Sequence, residues 1–262
     1  RPVTIKLGPD GAIYVADFYN AIIGHYEVPL GHPKRDKQRG RIWRITYKGK
    51  HNDVQDLTTA KLDELIAAFD LDNIVSRMAA ADQVADRIGT GAIEPLKEQL
   101  SNASPKKYIH SLWVLHRLNG LTEDILKQSL VHASSLVRLH SFRILREWQP
   151  DIEAFHPIIL NALKDTDAHV QRAAIELLTS YPEMSSVEAS LSMLHATPPE
   201  DSHLTYTTRL TLRNLLRNNN LMNQTLNTEW SSQDQAFIAG TLVDVHSSDA
   251  AAFLSKFFDE GT

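Results

Sequence analysis

The chain has no cysteine. That excludes disulfides, thiolate metal sites, iron–sulfur clusters, a cysteine nucleophile and covalent c-type haem attachment within these residues. It also has no apolar run approaching the roughly 20 residues that a spanning helix needs, so no transmembrane segment is predicted. No Walker-type loop, dinucleotide fingerprint or serine elbow occurs. At Arg1 there is neither a charged n-region nor an apolar h-region, and the expectation is that any targeting segment was removed or lies upstream.

What remains is the composition of an ordinary globular chain: 42% hydrophobic, 23% charged, with a mean hydropathy of -0.27. The net charge of -5 conceals an uneven distribution. Residues 1–50 hold ten Lys/Arg against four Asp/Glu, and the other 212 hold seventeen against twenty-eight. The basic excess gathers in "KRDKQRGRIWRITYKGK", Lys34 to Lys50. A nucleic-acid surface wants basic residues spread over a face with aromatics among them. This run follows a loop and contains a strand, so a solvated loop and strand edge is the reading, with no nucleic-acid partner.

Val3, Ile5 and Leu7 alternate with Thr4 and Lys6, the period of a half-buried strand. "GPDG" at Gly8–Gly11 supplies a turn, with Pro9 fixing φ and Gly11 free to take positive φ. "AIYVAD" at Ala12–Asp17 is a second strand, and the two make a hairpin. "RIWRITY", Arg41–Tyr47, is a third. Between the last two strands run some 23 residues without periodicity, Phe18 to Gly40, and loops of that length are usually functional or disordered. Three strands alone are marginal in water and need a neighbouring element to cover them.

"RPVTIKLGPDGAIYVADFYNAIIGH" followed by "GRIWRI" resembles the last blade of the β-propeller of sorbosone- and glucose-dehydrogenase-like proteins, the membrane-bound dehydrogenase family. The resemblance implies a partial blade over residues 1–49, a helical repeat domain over 50–262, and upstream blades plus a downstream c-type cytochrome in a longer parent. It implies that Asp17, Tyr19, Asn20 and His25 face the propeller mouth, toward a cofactor or substrate. In the parent, PQQ, calcium and a sugar-like substrate are implied there, and an extracytoplasmic, periplasmic or cell-envelope location. No catalytic set, metal site or cofactor site is expected to be complete within this chain.

From about Thr58 the apolar period becomes 3.6, with Leu62, Leu65, Ile66 and Phe69 on one face, then Val75, Met78, Ala79 and Val84. Ser104-Pro105, "LTED" at Leu121–Asp124, Ser231-Ser232 and Ser247-Ser248 read as helix starts, while Pro150, Pro182 and Pro198-Pro199 fall between helices. About twelve short helices are predicted. Val75, Ile109, Val137, Val170 and Leu204, taken as equivalent, are spaced by 34, 28, 33 and 34 residues, the mark of a stacked repeat. "DTDAHVQRAAIELL" is HEAT-like, with Val170 inward and Arg172 placed to reach acids or carbonyls of the next repeat.

The predicted class is therefore mainly α: a HEAT-like α-solenoid, an α-α superhelix given a right-handed curve by the resemblance, with a short N-terminal three-stranded remnant of a propeller blade. Solenoids commonly bind proteins along a concave side. The histidines, including His110, His116, His132 and His140, lack the i, i+4 spacing of a helical zinc site. Trp113, Trp148 and Trp230 read as packing residues. Phe253, Leu254, Phe257 and Phe258 form an apolar edge that suggests continuation of the chain. Three functions compete: the C-terminal part of a propeller-type sugar or alcohol dehydrogenase, a non-catalytic protein- or polysaccharide-binding scaffold, and a calcium-dependent lactonase-like propeller.

Overall fold

The computed structural model describes residues 2–20, 22, 28–49, 53–148 and 152–260. It divides into two compact units, Arg1–Gly120 and Leu121–Thr262.

The first unit opens with an antiparallel sheet in the order β1 (Pro2–Leu7), β2 (Ile13–Asp17), β3 (Arg41–Ile45). Leu7 faces Ile13, and Ile5 faces Val15, while Val15 in turn faces Trp43 and Ile13 faces Ile45. A bulge lies between Pro2 and Thr4. The period of two thus gathers Ile5, Leu7, Ile13, Val15, Trp43 and Ile45 on one face. Only Val15 is buried; the other five are between 43% and 64% exposed. The half-burial expected of β1 is therefore not met, because no element among the described residues covers that face. The third strand also ends two residues before the expected Tyr47, which is 78% exposed.

Turn chemistry follows the sequence. Gly11 takes φ +78, and Asp10 accepts from the Ala12 amide at 3.0 Å and from the Tyr14 hydroxyl at 3.0 Å. The Arg44 guanidinium beside Asp10, then the Ala12 amide, hold this carboxyl below its ordinary range.

Four α-helices follow among the described residues of this unit. They are α1 (Leu62–Ala67), α2 (Ile74–Gln83) continued by a π-helical turn Val84–Ile88, α3 (Ile93–Gln99) and α4 (Pro105–Arg117). Leu65, Phe69, Ala80, Val84 and Leu96 are fully buried, whereas Met78, assigned to the inner face from the sequence, is 57% exposed. Asn73 joins sheet to helices. Its Oδ1 accepts from Val75 N at 2.8 Å and caps α2, while its Nδ2 donates to the carbonyls of Gly8 and Pro9 at 2.9 and 3.0 Å. Ser104 caps α4, accepting from Lys107 N at 3.2 Å, with Pro105 at the first helical position.

The second unit holds α5 (Glu123–Leu130), α6 (Ser135–Trp148), α7 (His156–Ala162), α8 (Ala168–Leu177), α9 (Met184–Ala196), α10 (Ser202–Leu216), α11 (Asn219–Leu226), α12 (Ser232–Leu242) and α13 (Ser248–Glu260). Each odd helix from α5 to α9 packs on the even helix that follows, and α6, α8, α10 and α12 pack side by side in a row. This is the two-layer architecture of a HEAT-like helical repeat, and the protein is mainly α with a small N-terminal sheet. A helix pair on its own leaves an apolar stripe open, and the next pair closes it.

The even helices begin at Ile74, Pro105, Ser135, Ala168, Ser202 and Ser232. Counted from these starts, Val137, Val170 and Leu204 occupy one position, each at most 2% exposed. Val75 and Ile109 sit elsewhere in their helices and are only half-buried; Tyr108, one residue earlier, carries the burial in α4. Thr122, Asp167, Asp201, Ser231 and Ser247 accept from free amides at helix starts, as their residue types require. Pro182 and Pro198-Pro199 fall between helices, and Pro150 lies outside the described residues. At the last helix Phe253 is buried, and Leu254 and Phe257 pack on the same cluster as Leu242 and Ile238. Of the apolar edge expected there, only Phe258 stands out, at 65%.

Candidate functional site

The sequence singled out Asp17, Tyr19, Asn20 and His25. The first three line a single open cleft of ≈ 710 Å³, closed on the far side by the loop Pro33 to Arg39. His25 lies outside the described residues. An adjoining cleft of ≈ 840 Å³ shares Asp17 and Asn20 and adds the apolar side chains of Val3, Phe18, Leu30 and Ile42.

Asp17 ends β2 opposite Arg41. Its Oδ1 accepts from Tyr19 N at 3.1 Å, and its Oδ2 accepts from Trp43 Nε1 at 2.9 Å. The turn that follows puts Tyr19 at φ 46, a left-handed backbone uncommon outside glycine. The ring is thereby set beneath two guanidinium groups, with Arg41 3.5 Å and Arg39 5.6 Å from its centroid. Arg41 also lies 5.2 Å from the Trp43 ring. Exposed cation–π contacts contribute about 0.5–1 kcal/mol each.

Asn20 is spent on backbone in both directions, donating to Asp36 O at 3.2 Å and accepting from Ile22 N at 3.3 Å. Arg35 holds the loop by donating to Val28 O at 2.6 Å and Pro29 O at 3.1 Å. Asp36 accepts from Gln38 N and Arg39 N at 3.1 Å and from Arg39 Nε at 2.6 Å. The Gln38 amide foremost, helped by Arg39, holds its carboxyl below the ordinary range against the opposing effect of burial.

Among the described residues of the long loop, Asp36 and Arg35 are the hubs of its polar contacts. Neither was singled out from the sequence. The available signal was the pair Arg39 and Arg41, two apart around Gly40 at a strand start, a spacing that puts both on the same side. Asp17 accepts one hydrogen bond at each carboxylate oxygen, and the Asn20 amide bonds backbone at both its ends. Among the described residues, no group of three His, Asp or Glu side chains is brought together to hold a metal.

A second cluster lies in the helices. His156 Nε2 is 3.3 Å from Ser186 Oγ, its Nδ1 is 3.6 Å from Glu183 Oε2, and its ring stacks on Tyr181 at 4.7 Å. The order is that of a nucleophile, base and acid, but Ser186 is 0% exposed in the first turn of α9. No substrate reaches it, and the cluster ties the start of α9 to that of α7. Elsewhere, His110 Nε2 accepts from Arg77 Nε at 3.2 Å, His132 Nδ1 accepts from Ser134 N at 2.9 Å, and His195 Nε2 lies 2.7 Å from Asp234 Oδ1. Trp230 packs on the C-terminal core and donates to Thr225 O at 2.8 Å.

Residues 1–49 match a family described as "Domain of unknown function (DUF7133)". The matched segment contains the whole sheet and the cleft. No curated protein matches the sequence. Among solved structures, the chain is similar to YibA of Escherichia coli, at 14% identity over 77% of this chain and 93% of that one, with a TM-score of 0.39. At that score the superposition adds nothing to the helical architecture already described.

Proposed function

We propose that the chain is a docking scaffold: a helical-repeat arm joined to one blade of a β-propeller, whose apolar face is covered by a neighbouring sheet. The observation that carries this reading is the open face formed by Ile5, Leu7, Ile13, Trp43 and Ile45. Covering an apolar side chain is worth about 1.5–3 kcal/mol, so five of them left in water amount to a strong drive toward a partner layer. A sheet in a propeller meets that need on both faces by its neighbours.

The parent is a propeller of sugar- or alcohol-dehydrogenase type, by the resemblance of the strand segments, with the chemistry held in the closed propeller and the helices acting as spacer and docking surface. The ring of Arg39, Tyr19 and Arg41 beside Asp17 then lies on the loops leaving the strands. There it orients a substrate through charge and ring stacking rather than by proton transfer.

The test is a comparison of the wild-type chain with Ile5→Thr/Trp43→Thr/Ile45→Thr. The wild type is expected to bind a hydrophobic dye and to self-associate in sedimentation, and the variant to do neither while keeping its helical signal. A monomeric, dye-silent wild type sinks the blade reading. Dye-linked sugar oxidation is expected only from a polypeptide carrying the remaining blades, and turnover by this chain alone contradicts the assignment of the chemistry to them.

A further inference from the structure

In the second unit, arginines fall into two groups. Arg138 donates from Nε and Nη2 to both Asp165 oxygens at 2.7 Å, and Arg146 donates to Glu176 at 2.6 Å. Arg143 on α6, Arg172 on α8 and Arg209 on α10 make no hydrogen bond or ion pair among the described residues. The reach of Arg172 to the adjacent repeat, expected from the sequence, is not made; Arg138 holds that role. Arg213, one turn beyond Arg209, donates only to Asn214 Oδ1 at 3.5 Å, and its Nε is buried without a partner.

These four guanidinium groups stand on neighbouring helices. Arg138–Asp165 at one end and Arg146–Glu176 toward the other fix α6 and α8 parallel and side by side. Thr211 Oγ1 donates to Ile175 O at 3.2 Å, which sets α10 against α8 at a similar level. At helical spacing the arginines fall off the stripes that contain Val137, Val170 and Leu204; Arg209 is exposed, and Arg143, Arg172 and Arg213 are half-buried. Beside them lie Tyr206, 68% exposed, and Leu136, 56% exposed. Residues 51–262 carry eleven more acidic than basic side chains. Arginines that make no ion pair among the described residues contribute little to the stability of the fold, which leaves their charge open to a ligand.

We infer that the ridge formed by Arg143, Arg172, Arg209 and Arg213, with Tyr206 and Leu136 beside it, docks an acidic peptide segment of a partner protein. This deepens the scaffold reading and rests on it, but it is independent of the blade. Helices packed about 8–10 Å apart present successive guanidinium groups at that interval, and an extended peptide rises about 3.3 Å per residue. A carboxylate at every third residue therefore meets one arginine per helix, and each pairing is of the fork type. A short acidic segment feels only the ridge, whereas a long polyanion such as a nucleic acid also meets the acidic remainder of the segment. That difference favours a peptide.

The experiment uses the full chain, at low salt, with a labelled peptide of repeated Glu-Gly-Ser, and with a single-stranded oligonucleotide alongside. Saturable peptide binding is expected, weakening with salt. Arg143→Glu/Arg172→Glu/Arg209→Glu should weaken it by about tenfold or more, while Lys164→Glu on the loop before α8 should leave it unchanged. If the triple reversal does not fold, Arg172→Gln/Arg209→Gln with an unaltered melting curve is to show a loss of about threefold. No saturable binding, the same affinity in the folded variant, or tighter binding of the oligonucleotide than of the peptide overturns the inference. The sheet variants used to test the blade leave this binding intact, so the two readings fail separately.

Discussion

The sheet and the helical array obey the same hydrophobic rule with opposite results. In the array, Phe142, Ile144, Val170, Ala174 and Ile175 are 0% exposed, because each helix pair finds its neighbour within the same chain. In the sheet, Ile5 and Ile45 are 64% and 56% exposed although the strands alternate as well as any. Local pattern specifies which face is apolar; it takes a second layer to bury it. The repeats carry their own second layer, and the three-stranded sheet has none among the described residues.

The widest gap between the two regions should appear on truncation. Phe142→Ala removes a fully buried ring between helices and is expected to cost about 3–5 kcal/mol in urea unfolding. Ile45→Ala in the sheet should cost less than about 1 kcal/mol in the isolated chain. An equal loss at both positions would mean that the sheet face is already covered in solution.

The next contrast sets a shielded ion pair against an exposed one. The side chains of Arg138 and Asp165 are 15% and 10% exposed, and those of Arg146 and Glu176 are 55% and 36% exposed. Arg138→Ala strands a shielded carboxylate and should cost about 3 kcal/mol. Arg146→Ala should cost less than about 1 kcal/mol. Burial pushes the Asp165 carboxyl up, but the hydrogen bonds and charge of Arg138 outweigh it, and the net shift is downward. A depressed carboxylate contributes stability above its unfolded pKa, about 3.9, and loses it as pH falls through the folded value. The melting-temperature gap between wild type and Arg138→Ala should thus be full near neutrality and shrink on the acid side of about pH 4. A gap that widens on acidification would reverse the assigned sign.

The helical layout was legible because its signals are local. Ser104 before Pro105, Asp167 before "AHV" and the 3.6-residue stripe each dictate structure within a few residues of themselves. Equivalence between repeats was less so. Val75 and Ile109 look like Val137 by type, yet the true reference is the cap that starts each helix, and α2 and α4 place their buried residues at other offsets. In the cleft, Asp17, Tyr19 and Asn20 could be named because they follow a strand. Arg35 and Asp36 could not, since most of their partners are backbone groups of a loop with no periodicity. The bareness of Arg172 was hidden for a related reason: a residue type announces what a side chain can reach, never what its neighbours already hold.

A finer prediction concerns the joint between sheet and helices in the first unit. Asn73→Ala removes both the α2 cap and two donors to Gly8 and Pro9, for about 2 kcal/mol in all. Asn73→Asp keeps the cap and loses the donors. Hydrogen exchange at the Gly11 and Ala12 amides should therefore accelerate in both variants, whereas exchange in the first turn of α2 should accelerate only in the alanine form. If the aspartate leaves the hairpin amides as slow as in wild type, the sheet is held by something other than Asn73.

The smallest expected effect comes from the unpaired arginines, and its sign matters more than its size. Replacing Arg172 by Gln removes no hydrogen bond or ion pair among the described residues, and it relieves repulsion from Arg143 and Arg209 on the flanking helices. Stability should be unchanged or rise by up to about 0.5 kcal/mol, in contrast to the loss at Arg138. The rise should fade with added salt, as a screened repulsion must. A loss of about 1 kcal/mol or more would place Arg172 among the residues that hold the array together. The charge of the ridge would then be a by-product of packing and not a surface left open for an acidic partner.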